Sequence, residues 1–428
     1  MQKNGCGIIP KWCLITGRRK IGSETAMSLD VQLMTDHFTQ RPVWAEINLD
    51  AAAANMHHLR QTVGPDVLIA SVVKANAYGH GAVEMAKTYL AHGANELAVA
   101  YLDEGVELRR AGITAPIFIL GHTDGRRAAE LIASGIDAAV FHETDARCFS
   151  QEAVRQHRSV RIHIAVDTGM GRIGFLPSEE SIAAIKRIAA MSQVVIAGMF
   201  THFSVSDMAD EASIAYTKKQ YQTLQWFYRR LREEQVSIPV CHCCSSAALL
   251  EFPDFRFDMV RPGIIQYGCQ PSDEVVSKAF VPRPVMSLHC CISHIKVVEA
   301  GETISYGRHF TAKRRTKIAT LPIGYGDGYP RILSNSVHVL VHGCRVPQVG
   351  NICMDQCMID VTDVPEVAAG DEVVLFGTQG GEEILVSELA HLAGTIEHEI
   401  LCNINRRVPR LYVKNGQVVH RTDYLKQQ

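Results

Sequence analysis

The chain has 428 residues, of which 47% are hydrophobic and 21% charged, which excludes disordered and fibrous classes and predicts a globular protein. Its 43 basic and 45 acidic residues give a formal net charge of −2, without a block of like charge, which argues against a nucleic-acid partner. No stretch reaches the roughly 18 apolar residues of a membrane span, so we expect no membrane partner. Thirteen scattered cysteines indicate reduced thiols and a cytoplasmic location.

The first 42 residues are predicted to form a tail outside the fold, poorly ordered at least to residue 26, with Met27 as an alternative start. From 43 to 281, short β-rich runs alternate with helical stretches, which predicts an α/β fold, a TIM-type (β/α)8 barrel. The strand candidates number nine, one more than such a barrel needs: 43–49, 67–74, 96–100, 116–120, 137–141, 161–167, 194–203, 240–244 and 257–261. We therefore expect one end strand, the first by preference, to belong elsewhere.

Residues 282–428 differ from the barrel region in texture. Turn dipeptides such as Ala300-Gly301 and His342-Gly343 separate Val- and Ile-rich segments, which predicts a mostly antiparallel β domain. One helix is expected within it, near 386–393. Because no low-complexity linker separates the two domains, we expect them to pack tightly.

A lysine ends the second strand candidate, in the segment VVKANAYGHG (72–81), and a glycine-rich turn follows it. The C-terminal ends of barrel strands form the mouth where barrel enzymes assemble their sites, and partial burial there would make Lys74 a nucleophilic amine. A lysine at a strand end can equally extend its head group into water. Position alone leaves both interpretations open.

The segment GMGRIG (169–174) matches the dinucleotide-binding pattern GxGxxG. The next helix begins too late, however, and the following strand ends without the acidic residue that would bind a ribose, so we reject that interpretation. These glycines instead predict a tight turn that projects Arg172 into the barrel mouth.

Two late loops, CSSA (244–247) and VRPG (260–263), follow the last two strand candidates, where barrels often bind a phosphate. They predict a phosphorylated cofactor, with a pair of ordinary turns as the alternative. The neighbouring cluster CHCC (241–244) does not predict zinc, because adjacent residues of one strand cannot all face one ion. We expect no metal site.

Seven segments, in one order along the chain, resemble the alanine racemase family: VVKANAYGHG (72–81), DTGMGRIG (167–174), THFS (201–204), RPG (261–263), SYGR (305–308), PIGYGDGYPR (322–331) and NICMDQ (351–356). The resemblance extends from about residue 44 to 413. It implies a barrel followed by a β domain, pyridoxal 5′-phosphate as cofactor, a small amino-acid substrate and a head-to-tail homodimer. The implied activity is interconversion of L-alanine and D-alanine, which would supply a peptidoglycan precursor.

The resemblance also implies a role for each matching residue. Lys74 would hold the cofactor covalently and act as one base, and Tyr306 of the partner subunit would act as the other, on the opposite face of the substrate Cα. Arg261 would face the pyridine nitrogen and, because arginine stays protonated, would leave that nitrogen without a proton. His202 would lie between Tyr306 and Arg261 and help the phenol to lose its proton.

Further implied contacts concern the cofactor phosphate, which would meet Tyr78, Ser246 and the backbone around Gly263 and Ile264. Arg172 would hydrogen-bond the phenolic oxygen of the cofactor and the substrate carboxylate. Three residues of the β domain are implied near the substrate. Met354 would donate its backbone amide to the substrate carboxylate, and Tyr325 and Cys353 would line the entrance.

Three positions depart from the family pattern. Ala165 stands where most relatives have a carbamylated lysine, so a bound anion, a water molecule or a differently tuned site would have to serve Arg172. Ser245 replaces an asparagine, and His398 replaces a tyrosine that lies against the cofactor phosphate and near the substrate side chain. Since one altered pocket wall changes discrimination by only about 1–3 kcal/mol, a racemase of broader specificity, or one for serine, is the leading alternative.

Two further classes of protein share part of this sequence pattern. A barrel-type amino-acid decarboxylase shares the lysine and the two-domain plan but does not need Tyr306, and the SYGR loop therefore favours racemisation. A non-catalytic cofactor-carrying protein would resemble single-domain barrels, which lack a β domain of about 140 residues.

Overall fold

The computed structural model describes residues 41–274 and 280–426. The predicted tail lies outside the described residues, apart from residues 41 and 42. All elements below belong to one compact unit, Val43–Gln428.

Eight parallel strands form a barrel: β2 Leu68–Val72, β3 Glu96–Val99, β4 Ile117–Ile119, β5 Ala138–Val140, β6 Val160–Ala165, β7 Val194–Phe200, β8 Cys241–His242 and β9 Met259–Val260. Their order is β4-β3-β2-β9-β8-β7-β6-β5, and a parallel bridge between Phe118 and Asp137 joins the two ends. The predicted (β/α)8 barrel is therefore confirmed.

The helices around the barrel are α1 Leu49–Val63, α2 Lys74–Tyr78, α3 Ala82–Ala91, α4 Leu102–Arg110, α5 Ala128–Ser134, α6 Glu143–Arg155, α7 Glu179–Ala189, α8 Glu211–Glu233 and α9 Ser246–Glu251. Helix α7 illustrates how they pack, because Ile182, Ile185 and Ile188 are buried at helical spacing while its charged residues face outward. Among the described residues, no helix is both long and apolar enough to cross a bilayer.

A second sheet has eleven strands, namely β1 Val43–Asn48 and ten strands of the β domain. The strands of the β domain, including two in a separate hairpin, are β10 Met286–Cys291, β11 His294–Val298, β12 Thr303–Ile304, β13 Phe310–Thr311, β14 Thr316–Leu321, β15 His338–Val341, β16 Cys344–Val349, β17 Cys357–Asp360, β18 Glu372–Gln379, β19 Glu382–Ile384, β20 Arg410–Lys414 and β21 Gln417–Thr422. The order is β11-β14-β17-β16-β15-β18-β10-β1-β20-β21, with β19 beside β18 and a separate hairpin of β12 and β13. All pairs are antiparallel except β1 with β20.

Strand β1 corrects the predicted start of the barrel at residue 43. It pairs with β10 and β20 in the second sheet, as the surplus of strand candidates indicated. The physical reason is visible in its burial, which alternates along the strand, whereas nearly all of β2 is buried. Alternation is typical of a sheet with one solvated face, and continuous burial of a parallel barrel.

The β domain contains two helices, α10 Val386–Ala393 and α11 Glu397–Asn403. The first was predicted and the second was not. One continuous cluster of buried hydrophobic residues extends from the barrel into the second sheet, which confirms the expected tight packing. Helix α11 lies at this junction, since a Cβ on Gly79 would meet the Leu401 carbonyl oxygen at 2.3 Å.

Candidate active site

A cavity of about 610 Å³ opens at the C-terminal ends of the barrel strands, and we call it the barrel-mouth cavity. Its lining includes every residue for which a cofactor contact was predicted: Lys74, Tyr78, Arg172, His202, Ser246, Arg261, Gly263, Ile264 and His398. Eight of these come from the barrel, and the ninth comes from α11. The fold therefore brings together residues that are more than 300 positions apart in the chain.

Lys74 begins the unusual turn α2, two residues after the end of β2 at Val72, rather than ending the strand as predicted. Ala75, Asn76, Ala77 and Tyr78 all have φ between 51° and 55°, a left-handed conformation that costs about 1–2 kcal/mol per L-residue. Neighbouring groups hold the turn in place. The Ala75 amide donates to Glu104 at 2.7 Å, and Arg410 of β20 donates to the carbonyl of Gly79 at 2.9 Å.

The electrostatic surroundings of Lys74 favour its neutral amine. Burial lowers the pKa of Lys74, and the positive charge of Arg172 lowers it further. A neutral amine is the form that can attack a carbonyl carbon or accept a proton.

Three groups converge at one end of the cavity. The Gly263 amide donates to the Ser246 hydroxyl at 2.9 Å, and a Cβ at residue 263 would lie 2.8 Å from the Tyr78 hydroxyl oxygen. A larger residue at position 263 would require the Tyr78 side chain to move. The ring of Tyr78 packs between Tyr267, at 4.8 Å, and His398, at 5.6 Å.

His398 lies beside Tyr78 and lines the same cavity. Its Nδ1 is buried and has no hydrogen-bond partner among the residues that the structure describes. Burial lowers the pKa of His398 to about 4, with a smaller contribution from the charge of Lys74. The hydroxyls of Tyr78 and Ser246 and this imidazole offer donors of the kind that a phosphate monoester binds, so the residues fit the predicted cofactor.

Arg261 is a second charged group in the cavity and is only 3% exposed. It donates to the carbonyl of Thr201 at 2.8 Å and to Nδ1 of His242 at 2.8 Å, and its Nη2 lies 3.4 Å from Nδ1 of His202. Burial lowers the pKa of Arg261 to about 10, which keeps it protonated at neutral pH. Burial and the charge of Arg261 lower the pKa of His202 to about 3, so this histidine is neutral.

Sequence reasoning missed His242, which was considered only as a zinc ligand. In the structure it is fully buried and contacts both Arg261 and His163. The signal was a polar residue at an interior position of an otherwise apolar strand, a placement that calls for a specific partner.

Four residues with predicted substrate or entrance roles lie elsewhere, on loops of the β domain, and we call them the tyrosine patch: Tyr306, Tyr325, Cys353 and Met354. None of them lines the barrel-mouth cavity of its own chain. Tyr306 is 71% exposed and Met354 is 54% exposed. Hydrogen bonds join the loops, because Tyr325 donates its amide to Cys353 and the Asn351 side chain donates to the Tyr306 carbonyl.

The backbone before Tyr306 is strained. Ser305 has φ 69° and ψ 179°, a conformation that glycine strongly favours and that costs other residues about 1–3 kcal/mol. Its hydroxyl donates to the Asn351 carbonyl at 2.6 Å, and Gly350 packs so closely that a Cβ there would lie 2.7 Å from the Ser305 Cβ. The loop is thus held in one shape with the Tyr306 ring exposed.

Comparison with known proteins connects both regions to one family. The model "Alanine racemase, N-terminal domain" matches residues 47–271, and "Alanine racemase, C-terminal domain" matches residues 285–412. Alanine racemase 1 of Clostridium acetobutylicum is 47% identical over 385 residues, which cover 90% of this chain and 99% of that protein. The alanine racemase of Methanococcus maripaludis is 43% identical, with coverage of 87% and 99%.

Solved structures give the same result. Alanine racemase from Clostridium difficile 630 is 40% identical, covers 90% of this chain and 99% of its own, and superposes with a TM-score of 0.85. The alanine racemase of Bacillus anthracis with bound L-Ala-P is 39% identical, with coverage of 90% and 98% and a TM-score of 0.85.

Proposed function

This chain belongs to the alanine racemase family and interconverts L- and D-alanine, and we propose that it does so with two bases, Lys74 and Tyr306 of the partner subunit, around pyridoxal 5′-phosphate. The observation that carries the proposal is the division of the predicted residues. Nine of them line one cavity, whereas Tyr306 is exposed and lies outside it. When bound, the cofactor withdraws electrons from the substrate and so acidifies its Cα–H bond.

The cofactor is assigned to the barrel-mouth cavity by the chemistry of its lining. The hydroxyls of Ser246 and Tyr78 supply donors for the phosphate, and Lys74 supplies the amine for covalent attachment. Arg261 donates hydrogen bonds but cannot accept a proton, because it stays protonated at neutral pH. The bases must therefore contribute more of the catalysis than they would beside an acidic partner.

Racemisation needs proton transfer on both faces of the substrate Cα. Lys74, with its lowered pKa, removes or returns the proton on one face. Tyr306 of the partner subunit acts on the other face, where neutral His202 and the charge of Arg261 favour its phenolate. Arg172 and the backbone amide of Met354 bind the substrate carboxylate, which fixes Cα between the two bases.

The exposure of the tyrosine patch supports a homodimer. One chain supplies the barrel-mouth cavity and a second copy supplies Tyr306 and Met354, in head-to-tail fashion, so that each site contains residues of both copies. We also propose a cytoplasmic location, supported by the fact that all cysteines the structure describes are free thiols. The product D-alanine would enter peptidoglycan synthesis.

The test is racemisation of L-alanine, L-serine and L-lysine in parallel by the purified protein with added pyridoxal phosphate. We expect alanine to lead in kcat/KM by about tenfold or more, equivalent to roughly 1.4 kcal/mol of transition-state preference. A lead for serine or lysine would instead support the broader-specificity alternative, for which His398 is the structural reason. Failure to form any D-enantiomer would contradict the proposal.

A further inference from the structure

A chain of buried polar side chains extends from Arg261 through the interior of the barrel. Arg261 Nη1 lies 2.8 Å from His242 Nδ1, and His242 Nε2 lies 3.0 Å from His163 Nδ1. His163 Nε2 lies 3.6 Å from Asp137 Oδ2, which is an ion-pair distance rather than a hydrogen bond. All four residues are at most 6% exposed. The interior of a barrel is usually filled by branched aliphatic side chains, so the presence of these buried polar residues has to be explained.

The barrel is shaped around these residues. His163 stacks on Phe118 with ring centroids 4.8 Å apart, and His242 stacks on Phe200 at 5.3 Å. Residue 198 is glycine, and a Cβ there would lie 2.7 Å from His163 Nδ1. The pairing of β6 with β7 also shifts register between Ile162 and His163. Aromatic walls exclude water, so each polar contact along the chain acts in a medium of low dielectric.

The guanidinium of Arg261 at one end and the carboxylate of Asp137 at the other favour the same direction for every proton in this series of side chains. A guanidinium can only donate, so His242 Nδ1 must accept. Burial and the charge of Arg261 lower the pKa of His242, which is therefore neutral and has its proton on Nε2. That proton is donated to His163 Nδ1, which leaves the proton of His163 on Nε2, 3.6 Å from the Asp137 carboxylate and without a hydrogen-bond partner among the described residues. Both histidines thus have the same tautomer.

Asp137, the last of these polar side chains, lies at the opposite end of the barrel from the barrel-mouth cavity. Asp137 precedes β5 and pairs with Arg161 at 3.0 Å. Glu96, at the start of β3, is the other acidic group near His163, and burial raises the pKa of Glu96. Of the two acids, Asp137 is the one in ion-pair contact with His163.

We infer that Asp137, His163 and His242 are positioning residues for Arg261, and that the carboxylate selects the tautomers that leave His242 Nδ1 free to accept from the guanidinium. This inference rests on the proposed function, in which Arg261 faces the ring nitrogen of the cofactor. With the opposite tautomers, the Nδ1 proton of His242 would meet the Nη1 proton of Arg261, and the guanidinium would have to turn away. An amide in place of such a carboxylate permits the wrong tautomer, as serine proteases demonstrate.

The first experiment measures the tautomers directly. Imidazole ¹⁵N chemical shifts of His163 and His242 are recorded in the full-length protein, with and without added pyridoxal phosphate, and are assigned with His163→Gln and His242→Gln variants. We expect both histidines to be neutral with the proton on Nε2. A proton on Nδ1 of His242 would overturn the inference. Because this measurement needs no turnover, it is independent of whether the proposed racemase mechanism holds.

The second experiment removes the charge of Asp137 with Asp137→Asn. We expect kcat for alanine in both directions to fall by about tenfold, because the buried negative charge that favours the Nε2 proton of His163 is lost. We also expect altered ¹⁵N shifts of His242 and a changed visible spectrum of the bound cofactor. The matched control is Arg161→Gln, which removes the other partner of Asp137 and should leave kcat within about twofold.

A purely structural role predicts a different result. It would lower the unfolding midpoint of Asp137→Asn while kcat, measured well below that midpoint, the shifts and the spectrum stayed unchanged, and this outcome would overturn the inference. An equal loss in Arg161→Gln would overturn it as well. If wild-type protein forms no D-alanine, the proposed function fails, whereas the tautomers can still be read.

Discussion

In the barrel-mouth cavity, charged and hydroxyl groups are enclosed by the strands and helices of one chain, and burial changes their acidity. In the tyrosine patch, the side chains are exposed and lie outside that cavity. Both regions nevertheless match motifs of one enzyme family. Under the proposed function, the enclosed region binds and polarises the substrate, and the base for the second face comes from Tyr306 of another copy.

The two regions share one physical feature, which is strained backbone next to a proposed base. Lys74 is followed by a run of left-handed residues, and Ser305, directly before Tyr306, has a conformation that glycine favours. Each segment is held by contacts from elsewhere in the chain, through Arg410 in the first case and Asn351 in the second. Such strain persists only where neighbours over-determine it, and it is concentrated at functional sites.

The comparison is tested most severely by Lys74→Ala, because Lys74 is proposed to be both the attachment point and a base. We expect activity to fall by more than about 10⁴-fold, and the visible absorbance of the lysine-cofactor link to disappear. Absorbance spectra and borohydride reduction measure the link. Lys87→Ala, which removes an exposed lysine paired with Glu84, is the control and should behave as wild type. A borohydride-reducible adduct that survives in Lys74→Ala would show that the lysine is wrongly assigned.

Tyr306→Phe removes only the phenolic hydroxyl of the exposed region. We expect a loss of about 10²-fold to 10⁴-fold, the usual contribution of one acid–base group, with selectively slower proton exchange from the L-enantiomer. Deuterium exchange at Cα, measured separately for each enantiomer, tests this. Tyr325→Phe, in the same patch, is the matched control and should retain most of the activity. Unchanged exchange from both enantiomers would remove Tyr306 as the second base.

Mixing the two inactive variants sharpens the comparison between the regions. A hybrid dimer of Lys74→Ala and Tyr306→Phe protomers has one site with neither change, so mixing at equal amounts should restore up to about a quarter of wild-type activity. The measurement is racemisation after the variants have been exchanged and re-equilibrated. If mixing restores nothing although hybrid dimers form, each site must be complete within one chain.

Much of the barrel could be predicted, because the burial pattern of a short strand or an amphipathic helix is visible in a few consecutive residues. Every one of the nine strand candidates overlaps an observed strand, and even the surplus strand β1 was recognised by counting. The roles of Lys74 and Tyr306, in contrast, came from resemblance, because composition and periodicity do not specify chemistry. The Lys74→Ala and Tyr306→Phe variants test those roles.

Other features could not be predicted, because they depend on packing between distant segments. The left-handed turn at Ala75–Tyr78 has no sequence signal of its own, since alanine favours a right-handed helix, and the contacts of Glu104 and Arg410 decide it. Helix α11 was missed because it spans only seven residues. The buried partner of His242 was hidden for a similar reason, since His163 lies 79 positions away and reaches it only across the closed barrel.

The smallest expected effect concerns His398, which joins the barrel-mouth cavity from the β domain. A tyrosine there would fill more of the cavity and would remove the buried, unpartnered Nδ1 that can meet a substrate hydroxyl. We expect His398→Tyr to raise the preference for alanine over serine by about tenfold, within the range for one changed pocket wall. The ratio of kcat/KM values for the two amino acids measures it, with His398→Phe as the control for ring size without a polar group.

The acidity of His398 adds a second, independent check. Burial disfavours the charged imidazole and lowers its pKa to about 4, so the neutral form prevails at all higher pH values. The alanine-to-serine ratio of the wild-type protein should therefore stay constant between about pH 6 and 9, since His398 does not titrate there. A ratio that changes with an apparent pKa near the usual histidine value, and that becomes flat in His398→Phe, would mean that this imidazole is charged when the substrate binds.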